Sequence, residues 1–300
     1  MNNFNRFILV LLSFFIILFI IDRISFNLIF NFFTNSKSSL SYAYQDETEE
    51  ILILGSSRAK HYNTDIIREH FGDSLNVYSY GSSGQNIYYH YALLNVLLQN
   101  KKPKIVICDI MDIDVKKTSD LYSTTKLSEL YPLYSVNDTI KSIVNLQGIK
   151  KKYTLKLSKL YHFNSKIPNY VSDYFSKKNK YQPFIGLFGS NVKSLPRGQD
   201  SYEFDDFKIN YIQRLINICE KNGIKLILVV SPIFELYEEF KSPIYDALVN
   251  LDYGPNSEFW YYEQDTSFIY KNNLFYDRLH LNSDGVSVFT KIICNRLTDK

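Results

Sequence analysis

Cysteine is scarce in this chain of 300 residues: Cys108, Cys219 and Cys294 are odd in number and far apart. That spacing excludes a disulfide framework and a zinc knuckle. Each lies in an apolar run or a helical pattern, so all three are expected as small buried residues. A surplus of one charge sign is also missing. The net charge is +3, of which Arg6, Arg23 and Lys37 against Asp22 supply +2 and leave +1 for the rest. General nucleic-acid binding gets no support from that balance, and no nucleic-acid partner is expected. No Walker lysine and no complete dinucleotide fingerprint is present, so no nucleotide cofactor is expected. His61, His70, His90 and His162 have no metal-ligand spacing among themselves, and no metal is expected. No internal repeat is visible. With 45% hydrophobic and 22% charged residues the chain has ordinary globular composition, which excludes wholesale disorder.

One long apolar run stands out. Phe7–Ile21 reads FILVLLSFFIILFII without a charge, between Arg6 and the pair Asp22, Arg23. As a helix it spans about 22 Å, short of a ~30 Å hydrocarbon core unless the helix continues. Ile24, Phe26, Leu28, Ile29, Phe30, Phe32 and Phe33 prolong it. No small-x-small cleavage site follows within a few residues, which favours an uncleaved anchor over a signal peptide. The free amine and Arg6 before the run, against Asp46, Glu47, Glu49 and Glu50 after it, place the body outside the cytoplasm. On this reading residues 1–33 are a membrane anchor, 34–49 a Ser/Asn/Thr-rich linker and 50–300 one α/β domain with an insert at about 116–200.

Short apolar runs at 50–54, 76–80, 104–110, 224–230 and 259–264 alternate with helical patterns at 63–71, 86–99, 207–222 and 283–296. Such alternation implies a parallel sheet covered on both faces, an open doubly wound layer structure. The insert breaks the alternation. Its fragments LSELYPLY, YTLKLSKLY and IPNYVSDYF predict a helical cap, because a structureless loop of that length is improbable in a compact domain.

Ligands of open parallel sheets bind beyond the carboxyl ends of the strands. That rule selects Gly55–Ser56–Ser57–Arg58 after the first run, Gly81–Ser82–Ser83–Gly84–Gln85–Asn86 after the second, and Asp277–Arg278–Leu279–His280 before the last helix. Asp277 and His280 are three apart, so the carboxylate can bond one imidazole nitrogen and leave the other for a serine. The amides of Ser57 and Gly84 can face a developing oxyanion. Taken singly, each piece is also a common turn or cap; together they specify acyl transfer through serine.

The blocks ILILGSSRAKHY, VYSYGSSGQN and YDRLHLNSDG resemble the SGNH (GDSL-like) hydrolases, in particular their membrane-anchored cell-envelope esterases and acyltransferases. The resemblance runs from about Glu50 to Arg296, apart from the insert. It implies a flavodoxin-like sheet, Ser57 as nucleophile, Asp277 and His280 as its partners, Ser57 and Gly84 as oxyanion donors, and no cofactor. One departure stands in CDIMDID: where the family carries a donor asparagine, Asp112 stands, and an ionised carboxylate cannot donate. Two functions follow as expectations. One is a membrane-anchored serine esterase or O-acyltransferase acting on acyl esters of an envelope glycan or polymer; the other is an inactive binding or assembly protein that keeps the fold.

Arg58 and Asp112 are further candidate substrate contacts, although Arg58 can equally pair with Asp109, Asp112 or Asp277. Residues 141–180 hold ten lysines against the single acid Asp173. The body is correspondingly acidic. Lys150, Lys151 and Lys152 are therefore expected either as a solvated helical face or as a site that attracts a polyanionic substrate.

Overall fold

The computed structural model describes residues 3–45, 50–72, 75–100, 102–117, 126–176, 184, 186–192, 203–234 and 243–298. Asp46, Glu47, Glu49, Lys177, Lys178 and Lys180 lie outside the described residues. The chain divides into two compact units, one of Met1–Gln45 with Leu127–Lys180 and the other of Asp46–Lys126 with Tyr181–Lys300.

The second unit carries the sheet. Its strands are β1 (Ile51–Gly55), β2 (Val77–Ser79), β3 (Ile105–Asp109), β4 (Lys225–Val230) and β5 (Ser257–Tyr261), in the order β2-β1-β3-β4-β5. Every pairing is parallel, with Ile51 opposite Val77 and Ile105, and Ile105 opposite Lys225. This is the flavodoxin-like order, with a switch point between β1 and β3. All of β1 and most of β3 and β4 are buried, as strands covered on both faces must be. Near-continuous apolar runs are their sequence mark. One face packs Ile51, Ile53, Ile107, Ile227 and Val229 against Phe289, Ile293 and Leu297 of the last helix. Each such aliphatic side chain contributes about 1.5–3 kcal/mol on burial. All three cysteines are buried as free thiols.

Helix boundaries follow side-chain capping. Asn63 and Asn86 accept backbone N–H groups at the starts of α3 (Thr64–Phe71) and α4 (Ile87–Leu97). In the first unit, α1 (Asn3–Thr34) leads to α2 (Ser39–Tyr44), capped by Ser38. The segment expected as linker thus contains a short helix with Leu40, Ser41 and Ala43 buried. After β3 come α5 (Asp112–Val115), then α6 (Asp138–Asn145), α7 (Ile149–Leu157) and α8 (Ile167–Phe175) from the insert. The insert is helical, and part of its core comes from α1. Phe33 meets Tyr170 with ring centroids 5.4 Å apart, and Phe26 meets Phe163 at the same distance. The remaining helices are α9 (Asp206–Asn222), which stops at Gly223 in the left-handed region (φ +61°), α10 (Pro243–Val249) and α11 (Ser283–Thr298). Asn282 caps α11 through the N–H groups of Asp284 and Gly285.

Candidate active site

Three turns at the carboxyl ends of the sheet converge. β1 ends at Gly55 (φ +147°), where a Cβ would lie 3.0 Å from the Asp109 carbonyl oxygen of neighbouring β3, so the crossover requires glycine. A 3₁₀ turn, Ser57–His61, follows directly. After β2, the Gly84 N–H donates to Ser56 Oγ at 2.8 Å. Gly84 sits at φ +75°, and a side chain there would run into the Lys126 ammonium. The third turn precedes α11, where Asp277 Oδ1 accepts the N–H groups of Leu279 and His280, both at 2.9 Å.

These turns bring Ser57, His280 and Asp277 into one line. Ser57 Oγ lies 2.8 Å from His280 Nε2, and His280 Nδ1 lies 2.9 Å from Asp277 Oδ1 and 3.0 Å from Oδ2. An ionised carboxylate only accepts, so the ring proton sits on Nδ1 and the Nε2 lone pair faces the serine hydroxyl. Burial pushes the Asp277 carboxyl upward. The hydrogen bonds from the His280 ring and the two backbone N–H groups outweigh it and hold its pKa below the ordinary value. The arrangement can remove a proton from Ser57 and stabilise the resulting imidazolium.

Beneath the line lies a buried polar shell. His61 is buried, and its Nε2 accepts the Leu281 N–H at 3.1 Å. Its ring meets that of His280 edge-on, with centroids 5.9 Å apart. Burial, with the charges of Arg58 and His280, holds its pKa well below the usual range, which keeps Nε2 available as an acceptor. At the end of β3, Asp109 Oδ2 accepts the Tyr62 hydroxyl at 2.7 Å and also the Ser231 hydroxyl. Burial raises Asp109 to about 6 against the lowering effect of Arg58, Ser231 and Tyr62.

Arg58 is 3% exposed, with its charge acting on Asp109 and His61, so it belongs to the shell and not to a substrate-facing surface. Asp112 is half-buried at the first position of α5. From that segment it is Met111 whose side chain reaches the serine, with Sδ 3.9 Å from Ser57 Oγ. A thioether, like a carboxylate, donates nothing to an oxyanion. Lys150, Lys151 and Lys152 lie on α7, in the unit that does not contain Ser57. Among the described residues no group of three or more His, Cys, Asp or Glu could hold a metal.

Several residues at the site went unmarked in the sequence. Asp114 is buried and accepts the Met111 N–H at 2.9 Å, fixing the segment that faces Ser57. Burial raises its carboxyl to about 7. His90 Nε2 stands 3.9 Å from Asp114 Oδ1, and burial lowers His90 to about 3. Lys126 donates to the Ser83 carbonyl at 3.4 Å, while its own carbonyl accepts from Gln85. The run DID did carry one signal for Asp114, an acid at the third position of a short helix, which is where a side chain reaches back to an N-terminal amide.

No family model and no curated protein matches the chain. Among solved structures it is similar to a candidate platelet activating factor from Streptococcus pneumonia, at 12% identity and TM-score 0.44, covering 92% of this chain and 99% of that one. It is also similar to a candidate acylhydrolase from Bacteroides fragilis (11%, TM-score 0.42, 87% and 94%). A third is an acetyl xylan esterase (13%, TM-score 0.43, 83% and 99%). At such identities and TM-scores these likenesses carry no weight for function.

Proposed function

We propose that this chain is a membrane-anchored serine esterase or O-acyltransferase that works through an acyl-serine at Ser57. The single observation behind the reading is the continuous line from Ser57 Oγ through His280 to Asp277, at 2.8 and 2.9 Å. Ser57 Oγ attacks the ester carbonyl carbon while its proton passes to His280 Nε2. The tetrahedral intermediate collapses, the ester C–O bond breaks and the leaving alkoxide takes that proton. Water, or the hydroxyl of an acceptor, then loses its proton to Nε2 and attacks the acyl carbon, and Ser57 leaves with the proton restored. Hydrolase and transferase share the first half of this cycle.

The anchor reading is supported by α1, 32 residues long with an apolar stretch unburied throughout. At ~1.5 Å per residue such a helix exceeds the hydrocarbon core. The charges flanking it support an extracytoplasmic body, and an envelope glycan or polymer as the acyl carrier follows from that location and from the three sequence blocks. A second reading, a binding or assembly protein without turnover, is favoured by the engagement of the Gly84 amide with Ser56 and by Met111 where a donor is wanted.

A fluorophosphonate probe separates the two. Labelling mapped to Ser57, retained in Ser56→Ala and abolished in Ser57→Ala, is the expected result. An unlabelled native chain supports the second reading, and labelling that persists in Ser57→Ala removes Ser57 from the mechanism.

A further inference from the structure

Helix α7 shows its apolar side chains to solvent. Ile149, Tyr153 and Leu157 follow at four-residue spacing and so share one face, yet they are 71%, 61% and 76% exposed. Leu155, on the opposite side, is the buried residue of the helix. Lys150 borders the exposed stripe on one side and Lys152 and Lys156 on the other, and α7 contains no acid. Lys151 turns to the inner side, where its Nζ meets the Tyr161 hydroxyl at 2.8 Å. A bare apolar stripe with a cationic border is the pattern of a helix lying in a membrane interface.

The end of α7 is tied to one level of α1. The Asp22 carboxylate accepts the Ser158 hydroxyl at 2.6 Å and the N–H groups of Lys159 and Leu160 at 2.8 and 3.1 Å. Arg23 Nη2 donates to the Leu157 carbonyl at 3.4 Å. Asp22 and Arg23 are the first charges after the uncharged run Phe7–Ile21, whose large side chains are all exposed. The apolar stripe of α7 therefore reaches the place where the charge-free run of α1 ends, with Ile24 and Leu28 exposed beyond it. If α1 spans a bilayer with this charge-free run in the hydrocarbon core, that place is its headgroup boundary.

We infer that α7 is an interfacial helix whose Ile149–Tyr153–Leu157 face enters the headgroup–acyl boundary of an anionic bilayer while Lys150, Lys152 and Lys156 meet lipid phosphates. The inference rests on the reading of α1 as a membrane anchor. It assigns these lysines to lipid and not to the acyl substrate.

The test uses the full chain reconstituted in vesicles with roughly 30% anionic lipid, the range in which basic residues near the surface bind measurably. Trp260 is the sole native tryptophan and is buried, so the native chain supplies the fluorescence background. The indole introduced by Tyr153→Trp should emit to the blue of its water-exposed value and be quenched more by lipids brominated at shallow acyl carbons than at deep ones. Adding Lys150→Gln, Lys152→Gln and Lys156→Gln should reduce that quenching roughly twofold and remove the difference between anionic and neutral vesicles. Phe14→Trp, within the apolar run, reports on the anchor itself. Quenching in Phe14→Trp with none in Tyr153→Trp overturns the interfacial helix and leaves the anchor standing. Quenching in neither overturns the anchor and the interfacial helix with it, and full quenching in the triple-Gln background overturns the role of the lysines.

Discussion

Replacing Asp277 by Asn alters one hydrogen bond of the line and little else. Asp277 Oδ1 holds the turn through the Leu279 and His280 N–H groups, both at 2.9 Å, while the His280 ring stands 2.9 and 3.0 Å from the two carboxylate oxygens. An asparagine keeps its oxygen for the two amides, so the turn survives, and it presents an N–H to His280 Nδ1. Two donors then face each other. The imidazole relieves the conflict by moving its proton to Nε2, which leaves Nδ1 to accept and points an N–H at Ser57 Oγ. In that tautomer Nε2 cannot take the serine proton. The exchange forfeits a charge-assisted hydrogen bond of about 1.5–3 kcal/mol and adds the cost of restoring the productive tautomer. The total is about 3–4 kcal/mol, or roughly 10²–10³ in kcat. The Asp277 side chain is 40% exposed, and water access keeps the figure at that end of the scale. Hydrolysis of 4-nitrophenyl acetate should therefore show a kcat two to three decades lower, on the order of that estimate, with KM and the melting temperature near native. A kcat within about fivefold of native would refute the argument that Asp277 sets the tautomer.

Two further outcomes follow from the buried groups. His61→Leu strips the Leu281 N–H of its acceptor and should lower kcat about tenfold at unchanged KM. His61→Gln, which can still accept, should recover most of it; native kcat in a folded His61→Leu chain would show that the contact does not position His280. Asp114 has a folded pKa of about 7 against an ordinary 3.8, so the folded state binds the extra proton between these values and stability falls as pH rises through that window. Asp114→Asn keeps an acceptor for the Met111 N–H and removes the fall. Its stabilisation in urea titrations should be larger at pH 8 than at pH 5 by on the order of 2 kcal/mol. An equal gain at both pH values would contradict a raised Asp114.

The patterns legible in the sequence were those with a local cause. A fully buried parallel strand must be apolar along its length, so Ile51–Leu54 and Leu226–Val230 announce themselves. The pairing of Asp277 with His280 was readable for the same reason, since three residues of turn bring carboxylate and ring together. Tertiary structure decided the rest. Ser57 and His280 are 223 positions apart, and their contact depends on β1 lying at the switch point of a sheet whose strand order no local window encodes. That Arg58 and His61 lie inward, that Met111 and not Asp112 meets the serine, and that the insert takes part of its core from α1 are likewise outcomes of long-range packing. A one-residue change of facing in a short turn is invisible to composition or periodicity. It is fixed when the strands on either side are locked into register and each buried polar group finds a partner.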